Sequence, residues 1–123
     1  MIRVEQRPLE PVSADLLVRL EAKGFLILQG PDITAYLNAR GANAATFGTR
    51  ELLLRSDPRK LEVLEEFLHH TQLEIGLQER LTLPELEAHV KEFMVRHQRW
   101  LRLVPEDIAW LEAWLQHAKE RDK

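Results

Sequence analysis

The sequence contains no cysteine and no long hydrophobic run, and these two absences exclude several classes of protein. Without cysteine among its 123 residues, the chain cannot form disulfides, zinc ribbons or iron–sulfur clusters, and it offers no thiol nucleophile. No apolar run is longer than four residues, as in Phe25–Leu28, which is far shorter than a membrane span. Any chemistry must therefore come from carboxylates, histidines, hydroxyls or a bound metal ion.

The sequence also lacks an excess of basic residues and an apolar signal segment at its start. It has 20 acidic and 17 basic side chains, for a formal net charge of −3, so binding of nucleic acid by phosphate neutralisation is not expected. The residues after Met1 form no apolar signal core. We therefore expect a cytoplasmic protein, while secretion by a non-classical route stays open. Apolar residues make up 45% of the chain, which suits one core, and we predict a single domain over residues 1–123.

The pattern of apolar residues, helix caps and breakers predicts short strands followed by helices. Two strands and two helices are predicted in the first 40 residues, at Met1–Gln6, Ala14–Lys23, Phe25–Leu28 and Asp32–Arg40. Between Ala42 and Arg55 the sequence fits either a hairpin or one bent strand. Three further helices are predicted to begin at Pro58, Pro84 and Pro105. Because strands and helices segregate, we predict an α+β fold with a small antiparallel sheet packed on helices.

The candidate site lies on the predicted helix Pro58–Leu73. Glu65, His69 and Gln72 follow the spacing i, i+4 and i+7, which places them on one edge of its apolar face. A carboxylate and an imidazole one turn apart can bind one metal ion, and Glu66 beside them could then act on a water. The string Glu-Glu-Phe-Leu-His has the frame of the zincin motif H-E-x-x-H, with glutamate in place of the first histidine.

A third ligand is expected from the helix that begins at Pro84. Glu87 falls on the flank of this helix's apolar stripe, whereas Glu85 points to solvent, so Glu87 is the candidate. If Glu87 points elsewhere, His89 and His97 become the candidates. A glutamate–histidine pair one turn apart is also common on solvated helix surfaces, where it contributes only about 0.2–0.5 kcal/mol. The spacing alone therefore leaves a polar surface patch as an alternative.

Three segments resemble the zincin-like metallopeptidase domains found at the C-terminal ends of bacterial polymorphic toxins. They are GANAATFG at residues 41–48, ELLLR at residues 51–55 and VLEEFLHHTQ at residues 63–72. The family pattern combines a short A-T-[FY]-G segment, an apolar strand ending in arginine, a helix with E-E-x-x-H-x-x-Q and a later helix with E-x-E-A. Glu85, Glu87 and Ala88 match the last of these. The resemblance covers roughly residues 40–95.

The resemblance implies a metal-dependent peptide hydrolase with a minimal zincin-like core. Glu65, His69 and Glu87 would hold a divalent ion, with zinc as the first choice. Manganese and iron are alternatives because two carboxylates and one histidine form a harder donor set than typical zinc ligands. The ion would lower the pKa of a water, and Glu66 would be the catalytic general base that takes the proton. Gln72 would orient a ligand carboxylate.

The resemblance also implies a substrate and partners. Residues Leu52–Arg55 would form an edge strand that binds an extended protein or peptide substrate by strand addition. An immunity or antitoxin protein is the second implied partner, and no membrane is expected. The alternative is a catalytically inactive relative that serves as a protein-interaction or toxin–antitoxin component, with Glu65, Glu66 and His69 as a polar patch. The metal content of protein purified without chelator separates these two interpretations.

Overall fold

The computed structural model describes residues 7–47 and 50–121, and within these ranges it is an α+β protein, as predicted. The elements are α1 (Ala14–Ala22), β1 (Leu26–Leu28), α2 (Pro31–Arg40), β2 (Ala44–Phe47), β3 (Glu51–Leu54), α3 (Lys60–Glu74), a short 3-10 helix (Leu77–Glu79), α4 (Leu83–Arg96) and α5 (Pro105–Arg121). The strand predicted at Met1–Gln6 lies outside the described residues. None of the described helices is long and apolar enough to cross a membrane.

The chain divides into two compact units. Pro11–His70 form the first unit, and the residues from Thr71 onward form the second together with the segment that precedes Pro11. The helix α3 is continuous through the point of division. The single domain over residues 1–123 stays a prediction.

The sheet of the first unit has the order β1-β3-β2 and is mixed. β2 and β3 pair antiparallel, so the alternative of a hairpin is the correct one for this segment. β1 and β3 pair in parallel, which the connection through α2 permits, and the prediction of an antiparallel sheet is wrong for this pair. The expected edge strand at Leu52–Arg55 is also wrong, because β3 is paired on both sides. In the described part of the sheet, β1 and β2 form the edges.

The core of the first unit lies between the sheet, α1 and α3. Leu52 and Leu54 of the central strand pack with Val63 of α3 and with Leu20 of α1. The predicted packing of the sheet on helices is therefore confirmed for α1 and α3. The α1 helix begins where the sequence predicts, because the Ser13 side chain accepts a hydrogen bond of 3.2 Å from the Leu16 amide.

The helix α3 begins at Lys60, two residues later than the Pro58 start predicted from the sequence. The cause is a contact with the segment before α1. The Val12 amide donates to the Pro58 carbonyl at 3.0 Å, and Pro11 forms a β-bridge with Arg59. These contacts pair residues 58 and 59 with residues 11 and 12, so the helix begins only after them. The Glu62 carboxylate then accepts a hydrogen bond of 3.3 Å from the Arg59 amide, which caps the first turn.

In the second unit, α4 and α5 contact each other. A reciprocal capping box starts α4, since the Thr82 hydroxyl accepts from the Glu85 amide and the Glu85 carboxylate accepts from the Thr82 amide at 2.8 Å. Asp107 in the first turn of α5 is fully buried. Its carboxylate accepts hydrogen bonds from the amides of Leu9 at 2.7 Å and Glu10 at 3.2 Å, which ties the segment before Pro11 to α5.

Candidate metal centre

The structure brings the three predicted metal ligands together. One carboxylate oxygen each of Glu65 and Glu87 and one ring nitrogen of His69 all lie within 4.8 Å of one another. All three side chains are half-buried. Glu65 and His69 are one turn apart on α3, and Glu87 is in the second turn of α4. This group could hold a metal ion.

The packing of α3 explains why Glu65 and His69 lie together on one side of it. Phe67 and His70 pack on the Phe25 ring in the first unit, with ring centroids 5.8 Å and 4.9 Å apart. Helical periodicity then turns Glu65 and His69 to the other side of the helix. No residue from Lys60 to Gln72 is exposed, so the polar groups of this helix are not an ordinary solvated surface.

The Glu66 carboxylate is held by a side chain from β2. The Thr46 hydroxyl donates a hydrogen bond of 2.7 Å to Oε2 of Glu66. This is the usual length of a hydrogen bond between two oxygen atoms. Thr46 is the threonine of the A-T-[FY]-G segment, but the sequence pattern assigned it no role. The sequence indicates only that Thr46 lies in a strand shortly before the candidate helix. Its hydrogen bond with Glu66 depends on the fold and could not be predicted.

Gln72 is buried and binds the turn of α4 that carries Glu87. Its amide nitrogen donates to the Leu86 carbonyl at 3.0 Å and lies 2.9 Å from Nδ1 of His89. Because an amide NH₂ group only donates, Nδ1 of His89 is the acceptor. Gln72 thus holds the backbone on one side of Glu87 and the side chain of His89 on the other. Its predicted role of orienting a ligand carboxylate stays a prediction.

Glu85 and His97 of α4, which the sequence also singles out, lie outside the group of three ligand candidates. Glu85 is exposed, as predicted, and belongs to the capping box. The hydrogen bond from the Thr82 backbone, and to a smaller extent that from the Thr82 side chain, holds the pKa of Glu85 below its usual value. His97 lies at the C-terminal cap of α4, where the centre of its ring is 4.3 Å from the centre of the Phe93 ring. Neither residue belongs to the ligand group formed by Glu65, His69 and Glu87.

Comparisons of this chain with protein-family models, curated proteins and solved structures give no match. The resemblance to zincin-like toxin domains therefore rests on the sequence segments alone and stays a prediction. The function has to be argued from the residues that the fold brings together.

Proposed function

We propose that this protein is a metal-dependent peptide hydrolase in which Glu65, His69 and Glu87 hold the ion. The convergence of their ligand atoms within 4.8 Å carries the proposal. Three protein ligands that leave a coordination position open are typical of catalytic zinc sites. Two carboxylates also compensate the charge of a divalent cation, and this donor set suits zinc, manganese or ferrous iron.

The surroundings of the ligands support a site of low solvation. Oε1 of Glu65 is buried, and the side chains of all three ligands are partly withdrawn from solvent. Charge interactions are stronger in such an environment than in water. When bound, the ion would act as a Lewis acid and lower the pKa of a water molecule.

Glu66 supplies the proton transfer in this proposal. Thr46 holds Oε2 of Glu66 and thereby restricts the orientation of the carboxylate. A carboxylate fixed in this way can accept a proton and later transfer it to the leaving amine. β2, the strand that carries Thr46, is an edge strand in the described part of the sheet. An extended peptide that adds to this edge would run beside the residue that holds Glu66.

The test compares the wild-type protein with Glu66→Gln and His69→Ala, all purified without chelator. Metal stoichiometry, thermal melting and cleavage of an unstructured protein substrate are measured on each. We expect Glu66→Gln to keep the metal and the fold but to lose hydrolysis by about 10²–10⁴-fold, because the amide cannot act as a base. His69→Ala should lose the metal, and hydrolysis with it.

The control is His117→Ala, which removes an exposed histidine from α5 and should change neither metal content nor cleavage. Equal metal content in the wild type and in His69→Ala would contradict the proposed hydrolase function. It would favour the alternative of an inactive relative that acts as a protein-interaction or toxin–antitoxin component.

A further inference from the structure

Lys91 of α4 is almost completely removed from solvent. The residue is 2% exposed, and its ammonium nitrogen lies 4.2 Å from the centre of the Trp114 ring and 5.9 Å from that of Trp110. A desolvated ammonium is unfavourable unless it is paired, and tryptophan faces compensate only part of the lost hydration. A buried lysine beside two aromatic rings therefore requires a further interaction.

Glu87 provides an ionic partner for this ammonium. Nζ of Lys91 lies 3.3 Å from Oε2 of Glu87, one helical turn earlier, which is the favourable order of charges in a helix. The two ends of the pair differ in exposure, since the Lys91 side chain is 3% exposed and the Glu87 side chain 36%. The protein encloses the ammonium almost completely, while the Glu87 side chain keeps about a third of its surface exposed. Lys91 is thus the fixed end of the pair and restricts the rotamers of Glu87.

We propose that Lys91 is a positioning residue that prepares Glu87 for binding the metal ion. This inference rests on the metal site of the proposed function. A glutamate side chain has three rotatable bonds, and ordering them on binding lowers affinity unless the ligand is already ordered. Residues that orient a metal ligand in this way typically change metal affinity by 10–100-fold when they are replaced.

Positioning and simple charge repulsion predict opposite effects of removing Lys91. The ammonium repels a divalent cation, so its loss would tighten metal binding if charge alone mattered. If Lys91 mainly orders Glu87, its loss weakens metal binding. The sign of the change in the metal dissociation constant therefore separates the two effects.

The experiment measures the dissociation constants of Zn²⁺ and Mn²⁺ by competition with a chelator of known affinity. Lys91→Met replaces the ammonium with an apolar side chain of similar length that can keep contact with the tryptophan rings. Lys91→Gln also removes the charge but keeps an N–H donor. The matched control is Lys119→Met, which removes an exposed lysine from α5. Melting of the metal-free proteins identifies any variant that does not fold.

We expect Lys91→Met to raise the dissociation constant about 10–100-fold, Lys91→Gln to raise it less, and Lys119→Met to leave it unchanged. A dissociation constant that stays equal to or falls below the wild-type value in either folded Lys91 variant overturns the inference. If the wild type binds neither ion, this inference and the proposed function both fail. If the wild type binds metal without hydrolysing peptides and Lys91→Met binds it more weakly, the inference stands and the hydrolase fails.

Discussion

Replacing Thr46 with valine tests the hydrogen bond that holds the proposed general base. The substitution exchanges a hydroxyl for a methyl group of nearly the same shape and removes the 2.7 Å bond to Oε2 of Glu66. Hydrogen bonds to charged groups contribute about 1.5–3 kcal/mol to stability. This bond is only partly buried, so water can replace part of it. We therefore expect a loss of about 1–2 kcal/mol, or about 3–10 °C in melting temperature for a domain of this size.

Thr34 of α2 offers a control with the same chemical change. Its hydroxyl is buried, and it has no hydrogen-bond partner in residues 7–47 and 50–121. Removing an unsatisfied hydroxyl is neutral or stabilising, so Thr34→Val should not lower the melting temperature. Thr46→Ser, which keeps the hydroxyl, should retain the hydrogen bond. Thermal and urea unfolding of the three variants and the wild type give the comparison.

The same variants test the function of the contact. Thr46→Val should keep the metal stoichiometry but lower peptide hydrolysis, because the Glu66 carboxylate loses the group that orients it. Thr46→Ser should hydrolyse more rapidly than Thr46→Val. The reasoning is refuted if Thr46→Val unfolds no more easily than Thr34→Val and cleaves substrate at the wild-type rate.

Two further predictions concern the second unit. Asp107→Asn should lower the free energy of unfolding, measured by urea denaturation, by about 1.5–3 kcal/mol, because the buried carboxylate that accepts from the amides of Leu9 and Glu10 loses its charge. Wild-type stability in this variant would show that these hydrogen bonds do not stabilise the fold. The capping box holds the pKa of Glu85 below its usual value. The ionised Glu85 therefore stabilises the folded state at pH values above the ordinary glutamate pKa, and this stabilisation is lost as the pH falls through the lowered pKa. Glu85→Ala should therefore be less stable than the wild type at neutral pH, with a difference that shrinks in acid, whereas a difference independent of pH would argue against the ionised capping box as its cause.

The boundaries of most elements could be predicted from the sequence because local signals determine them. Ser13 caps α1, and α2 ends where Gly41 adopts a left-handed conformation with φ of 66°. The start of α3 could not be predicted in this way. Its position depends on pairing between residues 11–12 and 58–59, which are far apart in the sequence.

The order of the sheet shows the same limit. The run of buried leucines Leu52–Leu54 suits a central strand, since apolar residues on both faces are typical of strands covered on both sides. The expectation of an edge strand came from the family resemblance and overrode this local signal. The parallel pairing of β1 and β3 is a contact across α2, and no short pattern in either strand indicates it.

In the candidate site, helical spacing was sufficient to predict that Glu65, His69 and Glu87 lie close together, but it gave no indication of the burial of Lys91 beside Glu87. The i, i+4 relation of Glu65 and His69 and the choice of Glu87 on the flank of its helix follow from periodicity. A lysine such as Lys91 is expected at the surface from its residue type alone. Its burial depends on Trp110 and Trp114 of α5, about 20 residues later, and therefore on tertiary packing.

The two carboxylates of the candidate site lead to a prediction about stability with and without metal. Oxygens of Glu65 and Glu87 lie within 4.8 Å of each other in a half-buried group. Like charges at this distance repel each other by about 1–3 kcal/mol in an environment between water and the protein interior. A divalent cation bound between the two carboxylates would attract both of them, and this attraction would outweigh their repulsion.

Glu65→Gln should therefore act in opposite directions in the two states. In excess chelator the variant should melt at or above the wild-type temperature, because one of the two repelling charges is gone. With Zn²⁺ at 100 times its wild-type dissociation constant, the wild type should gain about 2.7 kcal/mol of stability and the variant much less, because the amide is a poor metal ligand. Melting of both proteins in chelator and in Zn²⁺ gives the four values. A variant that is equally destabilised in both conditions would mean that Glu65 supports the fold of α3 and not a metal ion.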